Sequence, residues 1–436
     1  MDYKSFVIGA CALVPISAWP AGLPEIYDLA RQRAPEMRAV DAAYEATDAL
    51  RTQSLRALLP TLSASGEKAK NDQNVVRTGV GNTGEFEFDS RSYTITLRQP
   101  IFRQDLFARA GQTNAQFTQA EAEYRAAQQA FIVKVAERYF EVLAAEDNLE
   151  FARANREASA RQLDQVRTRH AAGVTALTDL REVEANYDLT LAQEIDAGSR
   201  LTSANEALRE LVGDYPQNLK RLRNEVPLLM PNPSDIDSWR KRAETDNQKL
   251  VTALRAAAVA EKEVSRQQAG HYPSVDFVAT KSDAESGGRF GDSRVKDNIL
   301  ALQVNVPIFA SGQVMARVRE AQERYNEANE RAEQQRRATI RQVSDAYRAV
   351  TAGISRINAL ARSLTSTDTA LKAVQSGFRA GTRTAVDVLN AERVLLRTRR
   401  DHAAERYAYV VNTLRLKEAA GNLAPEDVNL LASWFE

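Results

Sequence analysis

Cysteine is nearly missing from this chain: 436 residues carry one, Cys11. It sits in an apolar stretch from Phe6 to Val14, with Lys4 before it and Pro15 and small residues up to Ala18 after it, the pattern of a secretory signal over 1–18 cleaved after Ala18. Losing that segment leaves a mature chain without cysteine, which excludes disulfides and thiol chemistry. Ile8-Gly9-Ala10-Cys11 has the small-residue-then-Cys look of a lipoprotein signal, but too few residues precede it for a charged segment plus a full apolar one, so lipidation of Cys11 is not expected. Long hydrophobic runs are missing too. After Val14 no stretch of about 18 apolar residues occurs, so no transmembrane helix is expected, and an exported chain is then either soluble or spans a membrane as a β-barrel. Net charge is also absent, with 58 Lys plus Arg against 58 Asp plus Glu, so there is no bulk electrostatic case for nucleic acid.

Chemistry-bearing constellations are equally scarce. The three histidines, His170, His271 and His402, are far apart and suggest no metal site. Gly79-Val-Gly-Asn-Thr-Gly84 matches a dinucleotide fingerprint but lies in a polar loop with no helix after it, so the N-terminus that would take a pyrophosphate is missing. No nucleophile elbow or phosphate-binding lysine loop is present. The chain is not expected to be an enzyme or to need a cofactor.

What is present is a repeat. Residues 171–180 align with 379–388 at an offset of 208, matching Gly173 with Gly381 and Asp179 with Asp387, and the same offset pairs Tyr139 with Tyr347 and Gly213 with Gly421. Upstream, Leu59-Pro60-Thr61-Leu62 pairs with Tyr272-Pro273-Ser274-Val275 at 213, whereas Pro100-Ile101-Phe102 pairs with Pro307-Ile308-Phe309 at 207. A longer surface loop between two equivalent strands in the first copy accounts for the difference of six. The organisation expected is a first repeat over 19–213, a Pro-rich connector over 214–234, a second repeat over 235–421 and a tail over 422–436.

Each copy reads alike. A helix is expected from Ile26 to Ala57 and from Ile236 to Gly270, ended by a proline. Period-two segments follow: Tyr93, Ile95 and Leu97 against Thr94, Thr96 and Arg98, and Leu300, Leu302, Val304 and Val306 against Ala301, Gln303 and Asn305. Their partners are Leu62 to Lys70 and Val275 to Ser282, joined by polar loops at 71–89 and 283–297. Proline is then absent from Arg103 to Ala172 and from Ala310 to Ala380, where a coiled-coil spacing runs through Phe117, Tyr124 and Phe131, then Val135, Val142 and Leu149. Such a helix is a rod of roughly 105 Å. Gly173 and Gly381 should end these helices, and a second helix runs back to Gly213 or Gly421. Strands of about ten residues are long enough to cross a bilayer when tilted. Four cannot close a barrel, so a membrane reading requires several chains to share one. The rival reading is a soluble periplasmic coiled-coil structural protein whose hairpins only cap a rod.

The string Gly381-Thr382-Arg383-Thr384-Ala385-Val386-Asp387-Val388-Leu389, its partner at Gly173 to Leu180 and the Pro-Ile-Phe junctions resemble the TolC family of outer-membrane exit ducts, over nearly all of the mature chain. The resemblance implies an α+β membrane protein: a homotrimer whose four strands per chain form one β-barrel in the outer membrane of a Gram-negative bacterium, in contact with its lipid, over a long α-helical coiled-coil barrel in the periplasm. It implies an equatorial belt from the connector and tail, and docking to a periplasmic adaptor protein and an inner-membrane ABC or proton-driven transporter for type I secretion or multidrug efflux. It also implies a gate. Asp179 and Arg383 match the family's gate partners, and Asp387 matches an acidic ring at the narrow entrance. Asn390 stands where a second acid is usual, and Phe378 replaces a tyrosine, so a weaker closed lock is expected. Gly173, Gly381 and Thr382 mark the helix-turn tips for adaptor docking. From the residues alone, Asp179 and Asp387 also read as helix-start acids, and Arg383 with Asp387 as an i, i+4 pair. Tyr93, Tyr272, Phe277 and Phe290 fall where an interfacial aromatic girdle belongs.

Overall fold

The computed structural model describes residues 21–76, 83–215, 218–223, 226–287 and 291–436. The expected signal with Cys11, most of the Gly79–Gly84 loop, Pro216 and Phe290 lie outside these residues. The first copy runs α1 (Leu23–Arg33), α2 (Pro35–Arg56), β1 (Thr61–Val75), β2 (Gly84–Arg103), α3 (Gln104–Ala171) and α4 (Leu177–Val212). The second runs α5 (Ile236–Asp246), α6 (Gln248–Gln268), β3 (Ser274–Ser286), β4 (Ser293–Asn305), α7 (Gln313–Arg379) and α8 (Ala385–Ala419), and a short α9 (Pro425–Leu430) follows. No described helix is long and apolar enough to cross a membrane.

Two expectations about element boundaries are corrected. The single helix expected at the start of each copy is two helices. Pro35 forces Ala34 into an extended conformation (ψ 122°), because a proline ring disfavours helical geometry in the residue before it. Asn247, 213 residues on, breaks the second copy at the equivalent place without a proline, its side chain accepting from the Leu250 N–H at 2.9 Å to start α6. The strands are also longer than their apolar alternation. The expected loop residues 71–75, 84–89, 283–286 and 293–297 are paired strand, held by cross-strand polar contacts such as Lys70 with Glu87 (3.2 Å) and Arg294 with Asp283 (2.6 Å).

Two compact units can be distinguished. One comprises Val40–Ala126 and Glu244–Thr339, and contains a four-stranded antiparallel sheet in the order β1-β2-β3-β4. Thr61 pairs with Arg98 in the first hairpin and Ser274 with Asn305 in the second, which places the six extra residues inside the first hairpin. Because residues opposite one another share a face, Leu62, Leu97, Ala279 and Leu300 form one apolar row, flanked by Ala64 with Ile95 on one side and Phe277 with Leu302 on the other. Tyr93 lies across Gly66, where an added Cβ would meet its ring at 3.3 Å. At the helical end the register slips between Pro100 and Phe102, a bulge at a residue with no N–H to give the ladder. On the opposite face there, buried Asp276 accepts from Arg98 (3.0 Å) and Arg103 (3.3 Å). Phe117 and Tyr124 of α3 pack on Tyr44 of α2, with ring centroids 5.4 and 5.2 Å away.

The other unit comprises, among the described residues, those of 21–39, Ala127–Ala243 and Ile340–Glu436. Its core is one face of α3, where Phe131, Val135, Tyr139, Val142, Leu143 and Leu149 are buried. The connector and tail cover that face. Tyr139 donates to the Lys220 carbonyl at 2.6 Å, Leu222 bridges Phe435, and Phe435 stacks on Phe140 with centroids 6.1 Å apart. Arg221 of the connector meets Asp147 at 3.3 Å and Glu150 at 3.5 Å on the next turns of α3. Burial pushes the Asp147 carboxyl up, although Tyr407 donates to it at 2.8 Å.

Candidate functional site: the helix-turn tips

The two long helices end identically in backbone terms. Gly173 (φ +73°) donates to His170 O and Val174 to Arg169 O, while Gly381 (φ +75°) donates to Phe378 O and Thr382 to Gly377 O. Both are Schellman closures, which need the left-handed backbone that glycine adopts without strain.

The helices that restart after these turns differ. Thr384 caps α8: its hydroxyl accepts from the Asp387 N–H at 3.2 Å, and the Asp387 carboxylate accepts from the Thr384 N–H at 2.9 Å. Ala176 stands in that position in the first copy and offers no side-chain cap. Asp387 is therefore bound up in its own helix start, and among the described residues it forms no ion pair with Arg383. The i, i+4 pairing is displaced because the cap offers the carboxylate two donors at 2.9 Å, the Thr384 N–H and hydroxyl. These Thr384 bonds, with a smaller contribution from Arg383, hold the Asp387 carboxyl below its ordinary 3.8. A depressed acid stabilises the fold above its ordinary range, and the contribution is lost as pH falls through the lowered value. Thr384→Ala is expected to move the Asp387 titration upward, toward 3.8, in a carboxyl-carbon NMR titration.

Asp179 is exposed, and the hydroxyl of Thr178 is 3.5 Å from its carboxylate. Arg383 is exposed as well. Its stem crosses Gly377, where an added Cβ would stand 2.8 Å from Cγ of Arg383, and Thr382 Oγ1 donates to Gly377 O at 3.1 Å. In the first copy Thr175 occupies the Arg383 position, its carbonyl 2.9 Å from His170 Nδ1. Phe378 (45% exposed) and Asn390 are at the surface of the second tip. The structure thus joins Thr384 to Asp387 and Arg383 to Gly377. It does not join Asp179 to Arg383 within one chain, where no ion pair between them occurs among the described residues. Gly377 is a part of this tip that sequence reasoning misses. Its signal is the Gly377-Phe-Arg-Ala-Gly381 spacing, where the first copy has Arg169 in place of Gly377.

Comparison with known proteins bears on what such an arrangement serves. The chain matches the Outer membrane efflux protein family over residues 26–214 and 239–422. It is 30% identical over 432 residues to Outer membrane protein TolC of Vibrio cholerae, covering 97% of this chain and 96% of that one. It is 28% identical to the Alkaline protease secretion protein AprF of Pseudomonas aeruginosa, covering 96% and 88%. Among solved structures, the Campylobacter jejuni CmeC outer membrane channel superposes with a TM-score of 0.76 at 15% identity, over 92% of this chain and 85% of that one, a likeness of fold.

Proposed function

Since the chain belongs to the outer membrane efflux protein family and is an outer-membrane exit channel for efflux or type I secretion, we propose that three copies pool their sheets into one membrane barrel and that the helix-turn tips close its far end. The observation that carries the first part is the sheet itself. β1 and β4 are open edges of 15 and 13 residues beside a face with an apolar band. Hydrocarbon does not tolerate unpaired backbone groups, so these edges must be paired, and another copy's opposite edge is the partner that repeats without end effects. Three copies of four strands satisfy closure above the eight-strand minimum. The chain performs no chemistry in this account. A periplasmic adaptor at Gly173, Gly381 and Thr382 and an inner-membrane transporter supply cargo and trigger opening, while the soluble coiled-coil alternative has no support from its relatives.

At the tips, the exposed carboxylate of Asp179 and the exposed guanidinium of Arg383 are complementary and lack one another within the chain. They are the pair we assign to the closed state, with Asp387 and Asn390 on the first turns of α8 around the entrance. Edge pairing is testable because the chain has no cysteine beyond Cys11. Ala64→Cys on β1 combined in turn with Asn298→Cys, Leu300→Cys or Leu302→Cys on β4 should give, for one member of the series, disulfide-linked multimers ending at three chains on a non-reducing gel. Monomer in every member would overturn the shared barrel.

A further inference from the structure

Along α8, Asn390, Arg393, Arg397 and Arg400 follow at intervals of three and four, so they share one helix face. The first copy has Ala185, Leu189 and Ala192 at the positions of the three arginines, so this basic row belongs to the second copy alone. It borders a cavity of about 420 Å³ between α8, α3 and α4, whose polar lining includes Asn155, Asn186 and Arg200. Arg393 donates to the neutral Asn155 at 3.2 Å, Arg400 lies over the Phe151 ring at 5.0 Å, and Arg397 and Arg400 share one acid, Asp401, at 3.8 and 2.7 Å. Asp196 is the one acid lining the cavity, against four arginines. Positive charge is therefore in excess.

The position of this cavity on α3 gives the excess a consequence. The connector and tail cover the α3 face that carries Tyr139, Leu143, Asp147 and Glu150. Asn148, Ala152 and Asn155, which line the cavity, lie roughly half a turn around the helix. A conduit must keep its inner wall clear, so the face packed with connector and tail is the outer one and Arg393 and Arg397 look into the channel, while Arg400 stands at the border and also lines a second cavity with Arg221, Asp147 and Glu150. This step rests on the exit-channel reading above.

We propose that Arg393 and Arg397, with Arg200, form a basic belt on the inner wall that makes the open channel prefer anions over cations and draws in anionic cargo. Rings of arginine select for anions by the same Coulomb rule by which acidic rings select for cations. Repeated in three copies, the belt outnumbers the Asp387 carboxylates at the entrance, where the neighbouring Asn390 carries no charge. A single charge about 10 Å from a permeating ion changes its population roughly twofold even in water.

The test is the reversal potential of the purified full-length protein in planar bilayers under a potassium chloride gradient. The wild type should reverse on the chloride side. R393Q/R397Q should shift reversal toward potassium, by roughly twofold or more in permeability ratio, while R393K/R397K should stay with the wild type. Because Arg393 bonds Asn155, R397Q alone is measured in parallel; its side chain is 72% exposed and has no closer acidic partner than Asp401 at 3.8 Å, so assembly should be intact. A potassium-preferring wild type, or a reversal potential that neither glutamine variant moves, overturns the belt and leaves the channel standing. Absence of any pore in the wild type overturns the exit-channel reading and the belt with it.

Discussion

Arg383→Ala is expected to raise the conductance of the purified channel in planar bilayers, and to do so without loss of assembly. Arg383 is exposed in the turn 380–384 between α7 and α8, with its aliphatic stem against Gly377. Asp387, the carboxylate nearest in sequence, is taken by Thr384, and exposed Asp179 is the partner proposed above for the closed state. Solvent-exposed pairs of this kind contribute about 0.2–1 kcal/mol each, so three in a trimer sum to about 0.6–3 kcal/mol. That sum shifts an open-to-closed ratio from roughly threefold to on the order of a hundredfold. Asp179→Ala should have the same effect, and exchanging the charges, Asp179→Arg with Arg383→Asp, should restore low conductance. Unchanged conductance in Arg383→Ala would remove Arg383 from the gate. Phe378→Tyr should act in the opposite sense, since it adds a hydroxyl on an exposed ring at the tip.

The second large effect is expected in the sheet. Leu300 lies near the middle of β4 at 77% exposure, opposite Ala279 in the central apolar row. In water such an exposed leucine could be replaced at almost no cost. On the lipid face of a barrel, an arginine near the bilayer midplane costs about 2–4 kcal/mol, and a trimer meets that cost three times. Leu300→Arg is therefore expected to abolish heat-resistant trimer in outer-membrane extracts, whereas Ala301→Arg, on the other face of the same strand, should leave most of it. Equal yields from the two variants would show that the apolar face does not meet lipid.

Much of this architecture is legible in the sequence because it depends on residues with strong backbone preferences. Gly173, Gly213, Gly381 and Gly421 all adopt φ between +73° and +81° at helix ends, where the repeat places them. The long helices begin and end within a few residues of the proline-free stretches. The break at Asn247 is not legible, since asparagine caps a helix only when the chain turns there and is otherwise tolerated within one. Nor are the outer ends of the strands, where Arg91 with Glu285 and Arg294 with Asp283 replace apolar alternation. Polar residues that pair across strands look like a loop until the register is known.

At the tips, the positions are visible in the repeat but the pairing is not. Thr384 and Asp387 have a capping-box spacing, yet the same Asp387 is also four residues from Arg383, and only geometry decides between a cap and a local ion pair. The arginine row of α8 is present in the sequence as a spacing of four and three. It gains meaning once α3 shows which of its faces the connector covers.

The central claim is that copies of this chain close one another's sheet in the outer membrane, and the mass of the detergent-extracted particle tests it most directly. Native mass spectrometry of protein taken from the outer-membrane fraction should return three chains and no stable single-chain species. A single-chain mass, recovered without detergent from the soluble fraction, would contradict the account.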